Sequence, residues 1–162
     1  MNMNEGCAIE ILLVEDNPAD VRLTELVLNE GSNSIRLSIA MDGVEAMDFL
    51  RKKGRYANAP RPNFILLDLN LPKKDGREVL AEIKSDPELK QIPIAILTAS
   101  EAEEDILQSY RMHANCYLIK PAELGKFKEL VSSIKDFWFG TAKLPPNDVI
   151  SERESNQYLR LL

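Results

Sequence analysis

Glu15, Asp16, Asp68, Thr98 and Lys120 each stand just past a short apolar run of this chain. Their side chains are three carboxylates, a hydroxyl and an ammonium. Carboxylates gathered at one place repel one another and raise each other's pKa unless a cation sits among them. A hard divalent ion with oxygen ligands removes that repulsion. Mg²⁺ fits, with Mn²⁺ as the alternative, because it takes one or two carboxylates and keeps positions that phosphoryl oxygens can enter. Thr98 would then offer a hydrogen-bond donor and Lys120 a point charge to those oxygens. A carboxylate nucleophile, a metal and a lysine are the minimal set for making an aspartyl phosphate.

Such a set is useful only if the fold brings it together, and the periodicity provides a way. Short apolar runs begin at Ile9, Ile35, Phe64, Ile94 and Cys116 and alternate with longer amphipathic stretches, the pattern of β-α units feeding a parallel sheet. The runs at Phe64 and Ile94 are apolar throughout, as strands covered on both faces should be. The run at Ile35 alternates apolar and polar residues and reads as an edge strand. Helices are expected from Asn17-Pro18 to Gly31, over 44–53, over 77–85, after Ser100, and over 124–139. Ser100 with Glu103 has the spacing of a capping box for the fourth helix. Right-handed crossovers put the carboxyl ends of all parallel strands at one edge, where ligands bind, so Glu15, Asp16, Asp68, Thr98 and Lys120 converge there.

Composition narrows the function classes. With 162 residues the chain has the length of one domain and an appendage. The 20 Lys+Arg are scattered among 26 Asp+Glu for a net charge of -6, which argues against nucleic-acid binding. The nearest basic patch, Arg51, Lys52, Lys53 and Arg55, reads as complement to a helix C-terminus. Cys7 and Cys116 form no CxxC pair, and the sequence shows no signal peptide and no membrane span, so a reducing cytoplasm is the expected location. A lone histidine, His113, excludes a His-based metal cage. The segment 140–162, with Pro145 and Pro146 and a weak apolar period at Val149, Ile150, Leu159 and Leu162, reads as a flexible or partner-docked tail without an effector domain.

The motifs LVEDN at 13–17, LDLNLP at 67–72, DG at 75–76, LTAS at 97–100 and IKP at 119–121 resemble those of a two-component response-regulator receiver domain covering 8–139. The string RPNFILLDLNLPKKDGREVLAEIK, the loop GRYANAP and the sequence HANCYLIK further resemble the small single-domain response regulators paired with cyanobacterial-type phytochrome histidine kinases. The resemblance implies a flavodoxin-like, CheY-like doubly wound (βα)5 fold of α/β class, with strand order 2-1-3-4-5. It implies a phosphoprotein rather than an enzyme, with a sensor histidine kinase as phosphoryl donor and no bound organic cofactor.

Residue by residue, Asp68 matches the phosphoacceptor, Asp16 the direct Mg²⁺ ligand and Glu15 the acid that holds the ion through water. Asn70 matches the donor of a backbone carbonyl to the metal, Thr98 the phosphoryl-sensing hydroxyl and Lys120 the motif lysine. Tyr117 occupies the aromatic switch position, and Pro121 is a candidate cis peptide. Each residue has a plainer reading: Glu15 and Asp16 as acids capping the first helix, Thr98 as a loop cap, Lys120 as a surface lysine, Tyr117 as a packed aromatic. A phosphohydrolase of the haloacid-dehalogenase type would need a second Asp where Asn70 stands. A flavodoxin-like nucleotide binder would want a glycine-rich loop where Glu15 and Asp16 stand. Output is expected by contact with a downstream protein. Phe137, Trp138 and Phe139 cannot all face the sheet, so at least one should be exposed, and the three are a candidate homodimer face. A phosphorelay intermediate and a phosphorylation-independent interaction module remain the alternatives.

Overall fold

The structure, a computed structural model, describes residues 8–31 and 34–146. Cys7 and the apolar positions Val149, Ile150, Leu159 and Leu162 lie outside the described residues. Five strands, β1 (Ile9–Val14), β2 (Ile35–Ala40), β3 (Phe64–Leu67), β4 (Ile94–Thr98) and β5 (Cys116–Ile119), form one parallel sheet in the order β2-β1-β3-β4-β5. Between and after them run α1 (Pro18–Leu28), α2 (Gly43–Leu50), α3 (Gly76–Ser85), α4 (Glu103–Arg111) and α5 (Leu124–Asp136). The parallel sheet is the one expected from the alternation of runs, its doubly wound, flavodoxin-like order is the one the resemblance implies, and the alternating strand β2 stands at one edge.

The period of two in a strand sorts the core into two layers. Leu12, Val14, Ile65, Leu67, Ile94 and Ile96 point to one face and pack with residues of α2 and α3, including Met47, Leu50, Val79, Leu80 and Ile83. Ile11, Leu13, Phe64, Leu66, Ala95 and Leu97 point to the other and pack with α1 and α5 through Val27, Leu28, Phe127, Val131 and Ile134. The central strand β3 is buried along its whole length, so its apolar run follows from having helices on both faces.

Local caps set where the helices begin. Asn17 caps α1, its side chain accepting from the backbone N–H of Ala19 and Asp20, with Pro18 in the first turn. Asp42 caps α2 by accepting from Glu45 N, while Glu45 reaches back to Met41 N, a reciprocal pair that starts the helix at Gly43. The capping box expected at Ser100 is absent, and α4 begins at Glu103 after an uncapped Ala102. Ser100 instead donates its hydroxyl to Asp105 at 2.6 Å, because Asp105 is held in place by Arg77 of α3. A tertiary ion pair thus overrides a local capping signal. The Glu103, Glu104 and Asp105 carboxylates in the first turn complement the α4 dipole.

The last helix ends earlier than expected. After Asp136 the backbone widens into a π-type turn over Phe137–Thr141, which contains Gly140, and Ala142 N closes it on Phe137 O at 2.7 Å. The wider turn lets Trp138 and Phe139 both reach Phe64, with ring centroids 4.9 and 5.3 Å away. Phe137 is left 54% exposed, the outcome required of three consecutive aromatics. Leu144 packs against the same layer, and Asn63 donates to the Pro145 carbonyl, so residues 142–146 lie along the base of the sheet, opposite the edge where the site forms.

Candidate functional site

Strand register brings the site together. Val14 lies opposite Leu67 in the β1–β3 pairing, so Glu15 and Asp68 emerge side by side, and Asp68 N donates to Val14 O. Thr98 lies opposite Ile119 in the β4–β5 pairing, so Lys120 emerges one residue beyond Thr98 and donates its backbone N–H to the Thr98 carbonyl at 2.7 Å. Carboxylate oxygens of Glu15, Asp16 and Asp68 fall within 4.8 Å of one another. Glu15 and Asp68 are buried, whereas Asp16 is exposed at the rim.

The two buried acids are held alike. Glu15 Oε1 accepts from Asn17 N at 3.1 Å, and Asp68 Oδ1 accepts from Asn70 N at 3.2 Å, each two residues farther along the chain. The second oxygen of each meets the Lys120 ammonium, at 2.5 Å for Glu15 and 2.9 Å for Asp68. Burial pushes the Glu15 carboxyl up to about 7, against the opposing pull of Lys120, and the nearby Asp68 charge adds to the rise. The carboxylates hold the Lys120 ammonium above its ordinary pKa despite its burial, so it stays charged. Thr98 is fully buried and its Oγ1 has no hydrogen-bond partner, a costly condition unless another group engages it.

Two glycines let the loop after Asp68 close over this set. A Cβ on Gly76 would lie 2.1 Å from the Asp68 carbonyl oxygen and 2.6 Å from Leu69 Cα, and Gly76 N donates to Leu69 O. A Cβ on Gly43 would lie 2.0 Å from the Lys74 carbonyl oxygen. Only glycine permits both approaches, so the DG motif acts by letting the start of α3 sit against the backbone of Asp68.

Every acid, hydroxyl and ammonium expected at the strand ends is therefore found there. Tyr117 lies on β5 with its side chain partly buried, and its hydroxyl donates to the Ser100 carbonyl at 2.9 Å, tying β5 to the loop before α4. Pro121 is a correction: no peptide bond among the described residues is cis, so Lys120-Pro121 is trans, the form that a tertiary amide still prefers. Lys120 meets its carboxylates with that bond trans. Phe137, Trp138 and Phe139 lie far along α5 and its terminal turn, away from this cluster.

Three features went unread in the sequence. Asp20 on α1 accepts from Lys120 at 3.0 Å. No local signal in the sequence marks it, because the partner that gives it a role, Lys120, lies 100 residues away. Arg77 binds Asp75 and Asp105 together, and through Asp105 it reaches Ser100, joining the starts of α3 and α4 around the site. Gly43 is the third, since its contact with Lys74 joins segments distant in sequence.

The site has the donor set that a hard divalent cation requires, and the unpartnered Thr98 hydroxyl suits a phosphoryl oxygen. Comparison with known proteins agrees. Residues 11–132 match the response regulator receiver domain family. The chain is 54% identical over 135 residues to response regulator Rcp1 of Synechocystis sp., covering 83% of this chain and 92% of that protein. It is similar to the crystal structure of the Mn(2+)-bound form of Rcp1, with 53% identity and TM-score 0.84, covering 85% of this chain and 99% of the other. The phosphorylated cyanobacterial phytochrome response regulator RcpA is alike at 53% identity and TM-score 0.85, covering 86% of this chain and all of that one, or 100%. The acid cluster, the lysine and the matched residues agree, and the chain belongs to the response regulator receiver family, which signals by taking up a phosphoryl group.

Proposed function

We propose that this chain is a single-domain response regulator that receives a phosphoryl group on Asp68 from a sensor histidine kinase of the phytochrome type. The observation that carries this reading is the meeting of Asp68, Glu15 and Asp16 with Lys120, one strand away from a buried and unpartnered Thr98 hydroxyl. The phytochrome pairing is supported by the likeness to RcpA.

Asp16, Asp68, the Asn70 carbonyl and Glu15 would hold Mg²⁺, or Mn²⁺ in its place, which would supply positive charge to the phosphoryl oxygens. Asp68 is the nucleophile: one carboxylate oxygen forms the new O–P bond as the P–N bond of the kinase phosphohistidine breaks. The imidazole leaves with the bonding pair and takes up a proton. Asn70 N orients the Asp68 carboxylate, and Lys120 balances charge that spreads over the phosphoryl oxygens in a loose transition state. Thr98 then donates to a phosphoryl oxygen. Tyr117, tethered to Ser100 next in line, passes that movement to the face made by α4, β5 and α5.

Leu107, Tyr110, Ile119 and Leu124 are exposed on that face, which supports output by contact with a downstream protein. The exposed Phe137 borders an apolar groove lined by Cys116, Leu118, Leu130 and Ile134. It supports a homodimer in which Phe137 is the principal contact, with Trp138 and Phe139 shaping the turn beneath it. The receiver unit runs over 8–139, followed by the 140–162 tail, and the protein acts in the cytoplasm as a phosphoacceptor, not as an enzyme on other substrates.

The test is incubation with Mg²⁺ and acetyl phosphate, followed by transfer from phosphorylated phytochrome-type and unrelated histidine kinases. Wild type should gain one base-labile phosphoryl group, fastest from a phytochrome-type donor, and Asp68→Asn should gain none. Equal labelling of Asp68→Asn would overturn the assignment. Sedimentation of Phe137→Ala against wild type tests the dimer, and an unchanged mass would contradict it.

A further inference from the structure

Lys120 has three N–H donors and no acceptor. All three have partners: Glu15 Oε2 at 2.5 Å, Asp68 Oδ2 at 2.9 Å and Asp20 Oδ2 at 3.0 Å. A phosphoryl group arriving on Asp68 must therefore draw the ammonium away from a carboxylate that already holds it. The three contacts do not cost the same to give up. The Glu15 side chain is 3% exposed and would be left charged without water, whereas the Asp20 side chain is 27% exposed and can be rehydrated where it stands. Asp20 also makes the longest of the three contacts. It is placed there by the start of α1, where the Asn17 side chain caps Asp20 N at 3.2 Å.

We propose that Asp20 is a positioning residue that competes with the phosphoryl oxygens for the Lys120 ammonium, and so sets how tightly the phosphorylated state of the site is held. Before phosphorylation Asp20 gives Lys120 a third anchor and keeps its remaining donors aimed at Glu15 and Asp68. Once the acceptor carries a phosphoryl group, the same carboxylate holds part of the cation's charge away from it and adds repulsion of its own. The role rests on Asp68 being the acceptor, and acts through Lys120 without contact to the incoming group.

The experiment titrates beryllofluoride, a phosphoryl mimic, into the full chain at saturating Mg²⁺, so that altered metal affinity does not enter. Fluorine NMR counts the bound anion in wild type, Asp20→Asn, Asp20→Ala, Asp20→Glu and Asp68→Asn. Binding to wild type and none to Asp68→Asn supports the acceptor assignment; no binding to wild type would contradict that assignment and the Asp20 role with it. Given wild-type binding, Asp20→Asn and Asp20→Ala should bind about fivefold more tightly, the effect of removing one charge at a few ångströms in a wet site. Asp20→Glu should return to the wild-type value. In the free protein the Lys120 ammonium protons should exchange with water faster in Asp20→Asn than in wild type. A merely structural role would weaken binding as the fold loosened, so tighter binding is diagnostic. Wild-type or weaker affinity in both Asp20→Asn and Asp20→Ala would overturn the proposal.

Discussion

Lys120 follows β5 and Asp68 follows β3, strands separated by β4, yet the ammonium of one lies 2.9 Å from Oδ2 of the other. Two strand spacings, about 10 Å, separate the strands, and the lysine and aspartate side chains close that gap from both sides. Glu15, which follows β1 on the far side of β3, is met by the same ammonium. One side chain therefore neutralises acids from two strands and stands where the phosphoryl charge would develop.

Lys120→Met should leave the carboxylates without their internal cation. Divalent ions should then bind more tightly, while labelling by acetyl phosphate slows by about 10²-fold, the usual cost of removing a transition-state donor. Calorimetry of Mn²⁺ binding beside the labelling rate checks both directions in one protein.

Thr98→Val should separate stability from signalling. The Oγ1 of Thr98 is buried and unpartnered, so replacing it with a methyl group should stabilise the metal-free protein by about 1 kcal/mol in urea unfolding. The same variant should bind beryllofluoride more weakly, because the donor to the phosphoryl mimic is gone.

The raised Glu15 pKa gives metal binding a pH dependence near neutrality. Below about 7 Glu15 holds a proton that a cation must displace, so Mg²⁺ affinity should fall as pH drops from 8 to 6. Stability of the metal-free protein moves the other way. A carboxyl raised from 4.5 to about 7 contributes stability that is full below 4.5 and is lost as pH rises through about 7. The unfolding midpoint of Glu15→Gln minus that of wild type should therefore grow more positive from pH 5 to pH 8, and a flat difference would contradict the shift.

Gly76→Ala should disturb the acceptor without touching any ionisable group. Its Cβ would press on the Asp68 carbonyl and on Leu69, costing about 1–3 kcal/mol and slowing labelling. Gly125→Ala, at the start of α5 and clear of close contacts, should instead gain about 0.5–1 kcal/mol with labelling unchanged. Denaturant unfolding of the pair reads the contrast.

The parts legible in the sequence are those carried by period and position. Glu15, Asp68, Thr98 and Lys120 each follow an apolar run, and parallel topology forces such residues to one edge. Phe137, Trp138 and Phe139 announced an exposed ring, because a helix face cannot hide three neighbours. The parts that were not legible depend on partners distant in the chain. Asp20 looks like any acid in a first helical turn until Lys120 arrives from 100 residues away. Ser100 and Glu103 have the spacing of a capping box, but Asp105, anchored by Arg77, takes the Ser100 hydroxyl for itself.

The central claim is that phosphoryl transfer ends on Asp68. Borohydride reduction of the acetyl phosphate-treated protein converts an aspartyl phosphate to homoserine, and peptide mapping locates it. Homoserine should form at position 68 alone, and only when Mg²⁺ is present. Homoserine at Asp16 or Asp20 instead, or labelling indifferent to the metal, would contradict it.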